Sequence, residues 1–102
     1  MRIRAVRPDF WQDDKLGHLS DAVRLFYIGL WCIADDAGWL QWDTASIAAL
    51  VYPYESVLVR ERRTTKAADS LVEAGRVVVH PCGCALIPRL ADHQHIGGNK
   101  SF

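Results

Sequence analysis

The chain has 102 residues, a length that allows one domain with a single core. Half of its residues are hydrophobic and 24% are charged, a balance typical of a globular protein rather than a disordered one. Twelve Lys and Arg cancel twelve Asp and Glu, so the whole chain has no strong field for nucleic acid, and any such binding must come from local clusters of charge.

Membrane and secretory segments are not expected. No stretch approaches the ~20 apolar residues that span a bilayer. The charged segment from Arg2 to Arg7 leads into Pro8 without the apolar run of a signal peptide. Three cysteines, an odd and low number, argue against a disulfide scaffold. We therefore expect a cytoplasmic protein with no membrane partner.

The N-terminal part of the chain leads into an apolar helix. The first nineteen residues mix charged and aromatic side chains and predict an irregular arm that Phe10 and Trp11 hold on the core. Ser20 is a typical N-cap, and apolar residues recur at helical spacing from Asp21 to Ala34. The paired carboxylates in Asp35-Asp36-Ala37-Gly38 sit at the helix exit beside a glycine, so we interpret them as a solvated turn rather than a catalytic pair.

The middle of the chain predicts a short strand and a short helix. The strand is Trp39-Leu40-Gln41-Trp42, which is rich in aromatic residues. The helix runs from Ala45 to Val51, capped by Asp43 or Thr44 and ended by Pro53. From Tyr54 to Arg63 we expect a connection of about ten residues before the next helix.

The segment from Thr64 to Gly75 predicts a third helix, with Ala68, Leu71 and Val72 on its buried side. Its entrance is basic, because four of the twelve Lys and Arg fall within seven residues, namely Arg60, Arg62, Arg63 and Lys66. Free N–H groups at a helix N-terminus already favour anions, so we expect a phosphate backbone to dock there. The alternative interpretation is an ordinary solvated surface.

The last part of the chain predicts a hairpin and a tail. Strands from Arg76 to His80 and from Ala85 to Pro88 flank the turn Pro81-Cys82-Gly83-Cys84. The order helix, strand, helix, helix, strand, strand is that of a winged helix-turn-helix, an α+β fold with three main helices, a small antiparallel sheet and a C-terminal hairpin wing. We expect an N-terminal arm packed on the core (1–19), the winged helix-turn-helix domain (20–90) and a polar C-terminal tail (91–102).

A family resemblance rests on short motifs spread over nearly the whole chain. They are Ile3 to Trp11, Asp14-Lys15-Leu16, Leu19-Ser20, Ala22 to Leu25, Ile28 to Trp31, Ala34 to Gly38, Tyr52-Pro53-Tyr54, Leu71 to Gly75, Ile87-Pro88, and His93-Gln94 with Ile96. Together they resemble the N-terminal winged-helix domain of phage replisome organisers, the DnaD-like replication initiators. The resemblance implies a phage protein that binds DNA at a replication origin in the bacterial host cytoplasm, and that self-associates or hands on a helicase loader. Family members usually carry a further C-terminal region after the histidine-containing segment, so we expect either a trimmed domain of such an initiator or a small stand-alone DNA-binding protein, such as a phage regulator of transcription.

The expected contacts with double-stranded DNA lie at the start of the third helix and beside the hairpin. We expect four side chains on phosphates, those of Arg60, Arg62, Arg63 and Lys66. Thr64 or Thr65 would cap the helix or bond to a phosphate or a base edge. Two carboxylates, Asp69 and Glu73, would repel phosphates along the rest of the helix. The hairpin turn has no Lys or Arg, so wing contacts fall to Arg76 or Arg89.

Thiol and imidazole side chains, the preferred ligands of zinc, recur near the C-terminus. They belong to His80, Cys82, Cys84, His93 and His95. Cys-x-Cys is tighter than the usual Cys-x2-Cys spacing, and a bridge across one residue would be strained. We therefore expect ordinary turn cysteines and no metal, with structural zinc as the open alternative. The motifs GxxxxGK, HExxH and GxSxG are absent from the sequence, and we expect neither a cofactor nor enzymatic activity.

A protein-interaction module is the alternative function. Its support is the zero net charge together with a set of apolar side chains that would form a surface patch: Trp39, Trp42, Val57, Leu58 and Val59. Such a patch would serve a homodimer or the capture of a replication or host protein.

Overall fold

The computed structural model describes residues 1–94, which form an α+β fold of short helices and one small antiparallel sheet. In chain order the elements are a 3-10 helix (Pro8–Gln12), α1 (Asp14–Gly17), α2 (Asp21–Ile33), β1 (Trp39–Gln41), α3 (Thr44–Val51), α4 (Val57–Glu73), β2 (Val78–Val79), β3 (Cys84–Leu86) and α5 (Leu90–His93). The predicted α+β class is confirmed.

Helix α2 is the centre of the core. Ser20 caps it as predicted, because its hydroxyl accepts a hydrogen bond from the Val23 N–H at 3.3 Å. Phe26, Tyr27, Leu30 and Trp31 are fully buried, and α3 and α4 pack against the helix. Burial of large aromatic side chains supplies much of the driving force for folding, so α2 organises the rest of the domain.

Phe10 and Arg4 are two of the residues that hold the N-terminal arm on the core. Phe10 is buried against Trp31 as predicted, but the prediction for Trp11 was wrong, since 59% of Trp11 is exposed. The arm is fixed instead by Arg4, whose guanidinium donates to the carbonyl oxygens of Trp31 and Ala34, each at 2.9 Å. These bonds satisfy acceptors at the end of α2 that have no partner inside the helix.

The sheet has the strand order β1-β3-β2, with both neighbouring pairs antiparallel. The predicted hairpin is confirmed as β2 and β3, and the predicted first strand is confirmed as β1. Gly38 leads into β1 with a φ of +92°, and its carbonyl oxygen accepts from the Ile87 N–H at 2.8 Å. This hydrogen bond connects the turn that follows α2 to the end of the β2–β3 hairpin.

Helix α4 differs most from the prediction. The expected ten-residue connection up to Arg63 was wrong, because α4 begins at Val57 and runs for 17 residues. Ser56 is its N-cap and accepts from the Val59 N–H at 3.3 Å, so neither Thr64 nor Thr65 caps a helix. Arg, Glu and Lys between residues 60 and 66 are good helix formers and continue the helix through the expected connection.

The chain after β3 returns to the core. His93 and Gln94 are buried, although we expected the polar tail to begin at residue 91. The Gln94 amide exchanges hydrogen bonds with Ala5, accepting from its N–H at 2.9 Å and donating to its carbonyl oxygen at 2.6 Å. This pairing ties the two ends of the described chain together. The rest of the predicted tail, residues 95–102, lies outside the described residues.

Candidate nucleic-acid interface

The basic residues around Arg62 lie along the side of α4 and not at a helix entrance. Because the helix begins at Val57, its free N–H groups lie more than a turn before Arg62. The buried residues of α4 all come later, and they are Thr64, Ala67, Ala68 and Leu71. The first half of α4 thus exposes most of its circumference, and the expected assistance from the helix N-terminus does not apply to Arg62, Arg63 or Lys66.

Arg62 and Lys66 are the cations of α4 that are best placed to bind an external anion. They are exposed, and their spacing of four residues puts them about 40° apart around the helix. Neither forms an ion pair within residues 1–94. Residues four apart are neighbours on a helix surface, so these two cations can both contact one anionic ligand.

Arg63 and Arg60 are more constrained. The Arg63 guanidinium lies 3.1 Å from the Glu55 carboxylate and 4.5 Å from the centre of the Tyr52 ring. An ion pair and a cation–π contact therefore hold this side chain against the α3–α4 connection. Arg60 is the fourth residue of α4 and is half-buried. At 100° per residue, Arg63 lies about 80° around the helix from the middle of the Arg62–Lys66 pair and Arg60 about 140°, so only Arg63 flanks the pair.

A shallow groove runs along the exposed face of α4. It has a volume of about 560 Å³ and is lined by Leu58, Glu61, Arg62, Thr65, Lys66 and Asp69. Thr65 is exposed between the two cations, so its hydroxyl can bond to a bound molecule. Glu61 and Asp69 limit the groove with negative charge, so the attraction for a phosphate is confined to its middle.

The order of charge along α4 opposes the helix macrodipole. Cations occupy the first half, from Arg60 to Lys66, whereas Asp69 and Glu73 occupy the second half. Helices are stabilised by the reverse arrangement, with anions near the N-terminus and cations near the C-terminus. Helix stability therefore does not account for this distribution of charge.

Thr64 lies in the core and not on the surface. Only 1% of the residue is exposed, and its hydroxyl has no hydrogen-bond partner within the described part of the chain. The expected contact with DNA through Thr64 is therefore wrong, because α4 turns this side chain inward.

Replacing Thr64 with valine should leave DNA affinity unchanged and raise the free energy of unfolding by up to about 1 kcal/mol. The reason is that burial of the Thr64 hydroxyl costs desolvation free energy, which no hydrogen bond in the described part of the chain offsets. Urea denaturation and a duplex-binding titration on the same variant check both parts. Weaker DNA binding by a stably folded Thr64→Val protein would contradict this assignment.

The wing contacts expected at Arg76 and Arg89 are not supported by their surroundings. Arg76 is 6% exposed, and its guanidinium binds both carboxylate oxygens of Asp13, each at 2.9 Å from Nη2. Arg76 is therefore buried and neutralised, and the expectation of a DNA contact is corrected. Arg89 is half-exposed but lies 3.1 Å from Asp92 and 3.9 Å from Asp13. A phosphate at Arg89 would meet several acidic groups.

The pKa values around Asp13 reflect this pairing. Burial alone would raise the pKa of Asp13, but hydrogen bonds from Arg76 and from the N–H groups of Leu16 and Lys15 outweigh it and hold the pKa below the ordinary value. The hydrogen bond to Asp92 raises the pKa of Arg89. Asp13 and Arg89 therefore both stay charged at neutral pH, and their ion pairs with Arg76 and Asp92 are maintained.

A second groove separates α4 from β2. It has a volume of about 400 Å³, and its lining is largely apolar with two carboxylates: Trp42, Thr44, Thr65, Ala68, Asp69, Val72, Glu73 and Val79. Carboxylates on this side agree with the expectation that the second half of α4 repels phosphates.

The histidines and cysteines that suggested zinc do not form a group of metal ligands within the described residues. No three His, Cys, Asp or Glu side chains among residues 1–94 are grouped so that they could hold a metal ion. His93 is buried in the core, where its Nε2 lies 3.1 Å from the Tyr27 hydroxyl, and burial lowers the pKa of His93 and raises that of Tyr27 to about 12. His95 lies outside the described residues.

The apolar side chains that were expected to form one surface patch are not all exposed. Of the residues expected to form a patch, Trp39, Val57 and Leu58 are exposed, whereas Trp42 and Val59 are half-buried. Sequence reasoning missed a second apolar groove, of about 430 Å³, between Trp11 and the outer side of α2 at Leu25 and Ile28. The signal was present, because Leu25 and Ile28 belong to a second apolar face of α2, on which Leu25 is exposed and Ile28 is only partly covered by the core.

Comparisons with known proteins identify no relative of this chain. No protein-family model, no curated protein and no solved structure gives a significant match to this chain. Within residues 1–94, none of the helices has the length and apolar character that a bilayer crossing requires.

Proposed function

We propose that the protein is a winged-helix protein that binds double-stranded DNA through the exposed face of the first half of α4. The element order from α2 to β3 and the strand order β1-β3-β2 support this fold, with α3 and α4 as the helix-turn-helix pair and the β2–β3 hairpin as the wing. In such folds the second helix of the pair enters the major groove. Here that helix is α4.

One observation carries the proposal. Arg62 and Lys66 lie one turn apart on the exposed side of the recognition helix, without an acidic partner among the described residues. Phosphate contacts supply most of the affinity of a DNA-binding protein, and these two groups can make them. Thr65 lies between them and is the residue of α4 that we expect to reach a base edge or a sugar–phosphate oxygen.

The biological role follows from the sequence resemblance to phage replisome organisers. It points to origin binding in replication initiation, with transcription regulation by a small phage protein as the second use of the same contact. Both roles require the same α4–DNA interface, so a test of that interface comes first.

The Arg62→Ala/Lys66→Ala variant should lose at least about tenfold in duplex affinity at low salt. The slope of log affinity against log salt should fall in magnitude by about 1.8, since each lost phosphate contact removes about 0.9. Fluorescence anisotropy with a labelled duplex, titrated at several salt concentrations, measures both quantities. A selection of bound sequences from random duplexes then identifies the site.

The matched control is Lys15→Ala/Arg24→Ala, which removes two positive charges from α1 and α2 and leaves α4 intact. Its affinity and salt slope should stay close to those of the unmodified protein. Equal losses in both variants would mean that only net charge matters, and unchanged binding by the α4 variant would refute the interface.

A protein-interaction module is the second candidate, favoured by the exposed apolar groove between Trp11 and Leu25. Heparin chromatography separates the two candidates. Retention that depends on Arg62 and Lys66 supports DNA binding, whereas flow-through at low salt supports the interaction module.

A further inference from the structure

Four charged residues of α4 form one exposed stripe along the helix. At 100° per residue they fall within about 60° of one another around the helix axis. The members of this α4 charge stripe are Arg62, Lys66, Asp69 and Glu73. All four are exposed, and none of them forms an ion pair within residues 1–94. The stripe is therefore accessible to a partner outside the molecule.

The order of charges in the stripe is unfavourable for α4 on its own. The two cations are four residues apart, and so are the two carboxylates, so like charges are neighbours on the helix surface in both halves. The cations also lie nearer the N-terminus and the carboxylates nearer the C-terminus, which is the reverse of what the helix dipole favours. A second helix that runs antiparallel and presents opposite charges would offset both effects.

The α4 charge stripe is complementary to itself under a two-fold rotation. Its midpoint lies between residues 67 and 68. Arg62 and Glu73 are equally far from this midpoint, and Lys66 and Asp69 are also equally far from it. In an antiparallel pair of α4 helices with a common midpoint, Arg62 of each copy is level with Glu73 of the other. Lys66 of each copy is then level with Asp69 of the other, so every charge of the stripe meets an opposite charge.

Exposed apolar side chains extend the same face. Leu58 is 66% exposed and Val72 is 43% exposed, and both lie on the same side of the stripe. The apolar groove of about 400 Å³ between α4 and β2 opens beside Val72. In the antiparallel pair, Leu58 of each copy lies toward the end of α4 at which the other copy has Val72 and this groove. Apolar burial there adds an attraction that pairing of charges does not supply.

We propose that a second copy of this chain docks on the α4 charge stripe and forms a two-fold, antiparallel pair of α4 helices. Packed helices lie about 8–10 Å apart, a distance that Arg and Lys side chains can bridge to carboxylates. Exposed ion pairs are weak individually and screened by salt, so the association is reversible and weakens as salt rises. The dimer covers Arg62 and Lys66, and it therefore excludes the DNA contact proposed above.

Charge reversal tests this arrangement without DNA. Sedimentation velocity at low salt, from about 1 µM to about 1 mM protein, measures the dissociation constant of the dimer. Arg62→Glu/Lys66→Glu leaves four negative charges in the stripe, and Asp69→Lys/Glu73→Arg leaves four positive charges. Each variant alone should dimerise at least about tenfold more weakly than the unmodified chain, because all facing charges then repel. An equimolar mixture of the two should form a heterodimer about as tight as the unmodified dimer.

The matched control is Lys15→Glu/Arg24→Glu, which changes the net charge as much as Arg62→Glu/Lys66→Glu does but leaves α4 unchanged. It should dimerise much as the unmodified protein does, and circular dichroism establishes that each variant is folded. The proposal is overturned if the unmodified chain stays monomeric over the whole concentration range, if either stripe variant dimerises as tightly as the unmodified chain, or if the mixture fails to associate.

The dimer does not rest on the proposed function, because every association measurement is made in the absence of DNA. Mutual exclusion is tested separately, by adding a short duplex to the dimer of the unmodified protein. Bound duplex should convert dimers into complexes with one copy on each α4 contact. Dimers that keep their α4 pairing while duplex is bound would contradict the exclusion, whereas a failure of duplex to bind would count against the proposed function alone.

Discussion

Replacing Arg76 with alanine should lower the free energy of unfolding by about 3–5 kcal/mol. Arg76 and Asp13 are both buried, with side chains 7% and 6% exposed, and the guanidinium satisfies both carboxylate oxygens. Without Arg76 the Asp13 carboxylate stays buried beside a cavity and keeps only the N–H groups of Lys15 and Leu16 as close donors, with Arg89 farther away. Urea denaturation monitored by tryptophan fluorescence measures the loss.

The control for this variant is Arg24→Ala, which removes an exposed ion pair with Asp21 on α2. Exposed pairs contribute about 0–1 kcal/mol, so this variant should be nearly as stable as the unmodified protein. Similar losses in the two variants would contradict the assignment of a buried pair between Arg76 and Asp13.

The same pair gives the destabilisation a pH dependence. The folded pKa of Asp13 lies below its ordinary value of 3.8, so the pairing stabilises the protein above about pH 4 and this contribution is lost as pH falls toward the folded pKa. The difference in unfolding free energy between the unmodified protein and Arg76→Ala should therefore shrink in acid. A difference that is independent of pH would assign the effect to lost packing.

Replacing Gly38 with alanine should lower the free energy of unfolding by about 2–4 kcal/mol. Its φ of +92° is unfavourable for a residue with a Cβ, and a Cβ built there would lie 2.6 Å from the Ile87 carbonyl oxygen. The obstruction is backbone rather than a flexible side chain, so the junction between β1 and the end of the hairpin must shift. Thermal and urea denaturation give the magnitude.

Gly83→Ala is the matched control for Gly38→Ala. Gly83 has nearly the same φ, +91°, but a Cβ there would meet no atom within 4 Å. Its substitution should therefore cost only the backbone term, about 1 kcal/mol. The difference between the two variants isolates the close approach at Ile87, and equal costs would show that the approach is unimportant.

Local sequence signals predicted most of the elements. Ser20 is followed by an apolar helical pattern, and the glycine in the turn after His80 marks the hairpin. The start of α4 was missed because its cap, Ser56, is followed by valines, which suit strands as well as helices. Thr64 then resembled a cap, although it is a buried residue in mid-helix.

Long-range pairing explains the remaining errors at the candidate site. Arg76 looked like a free cation beside a wing, yet its partner Asp13 is 63 positions away in the sequence. No local pattern connects the two residues. In the same way, Arg63 is neutralised by Glu55 only because α4 begins early enough to bring their side chains together. The cluster of four cations thus reduces to two, Arg62 and Lys66, that are exposed and form no ion pair among the described residues.

The two halves of α4 contribute differently to the core, and this difference determines where its surface can change. Its buried residues begin at Thr64, so positions 57–62 contribute little to the core although they belong to the same rigid rod. Substitutions there alter the surface offered to a ligand at small cost to folding. Natural variation or directed selection can therefore change the charge and shape of this surface, while the buried Ala67, Ala68 and Leu71 keep the helix packed on the core.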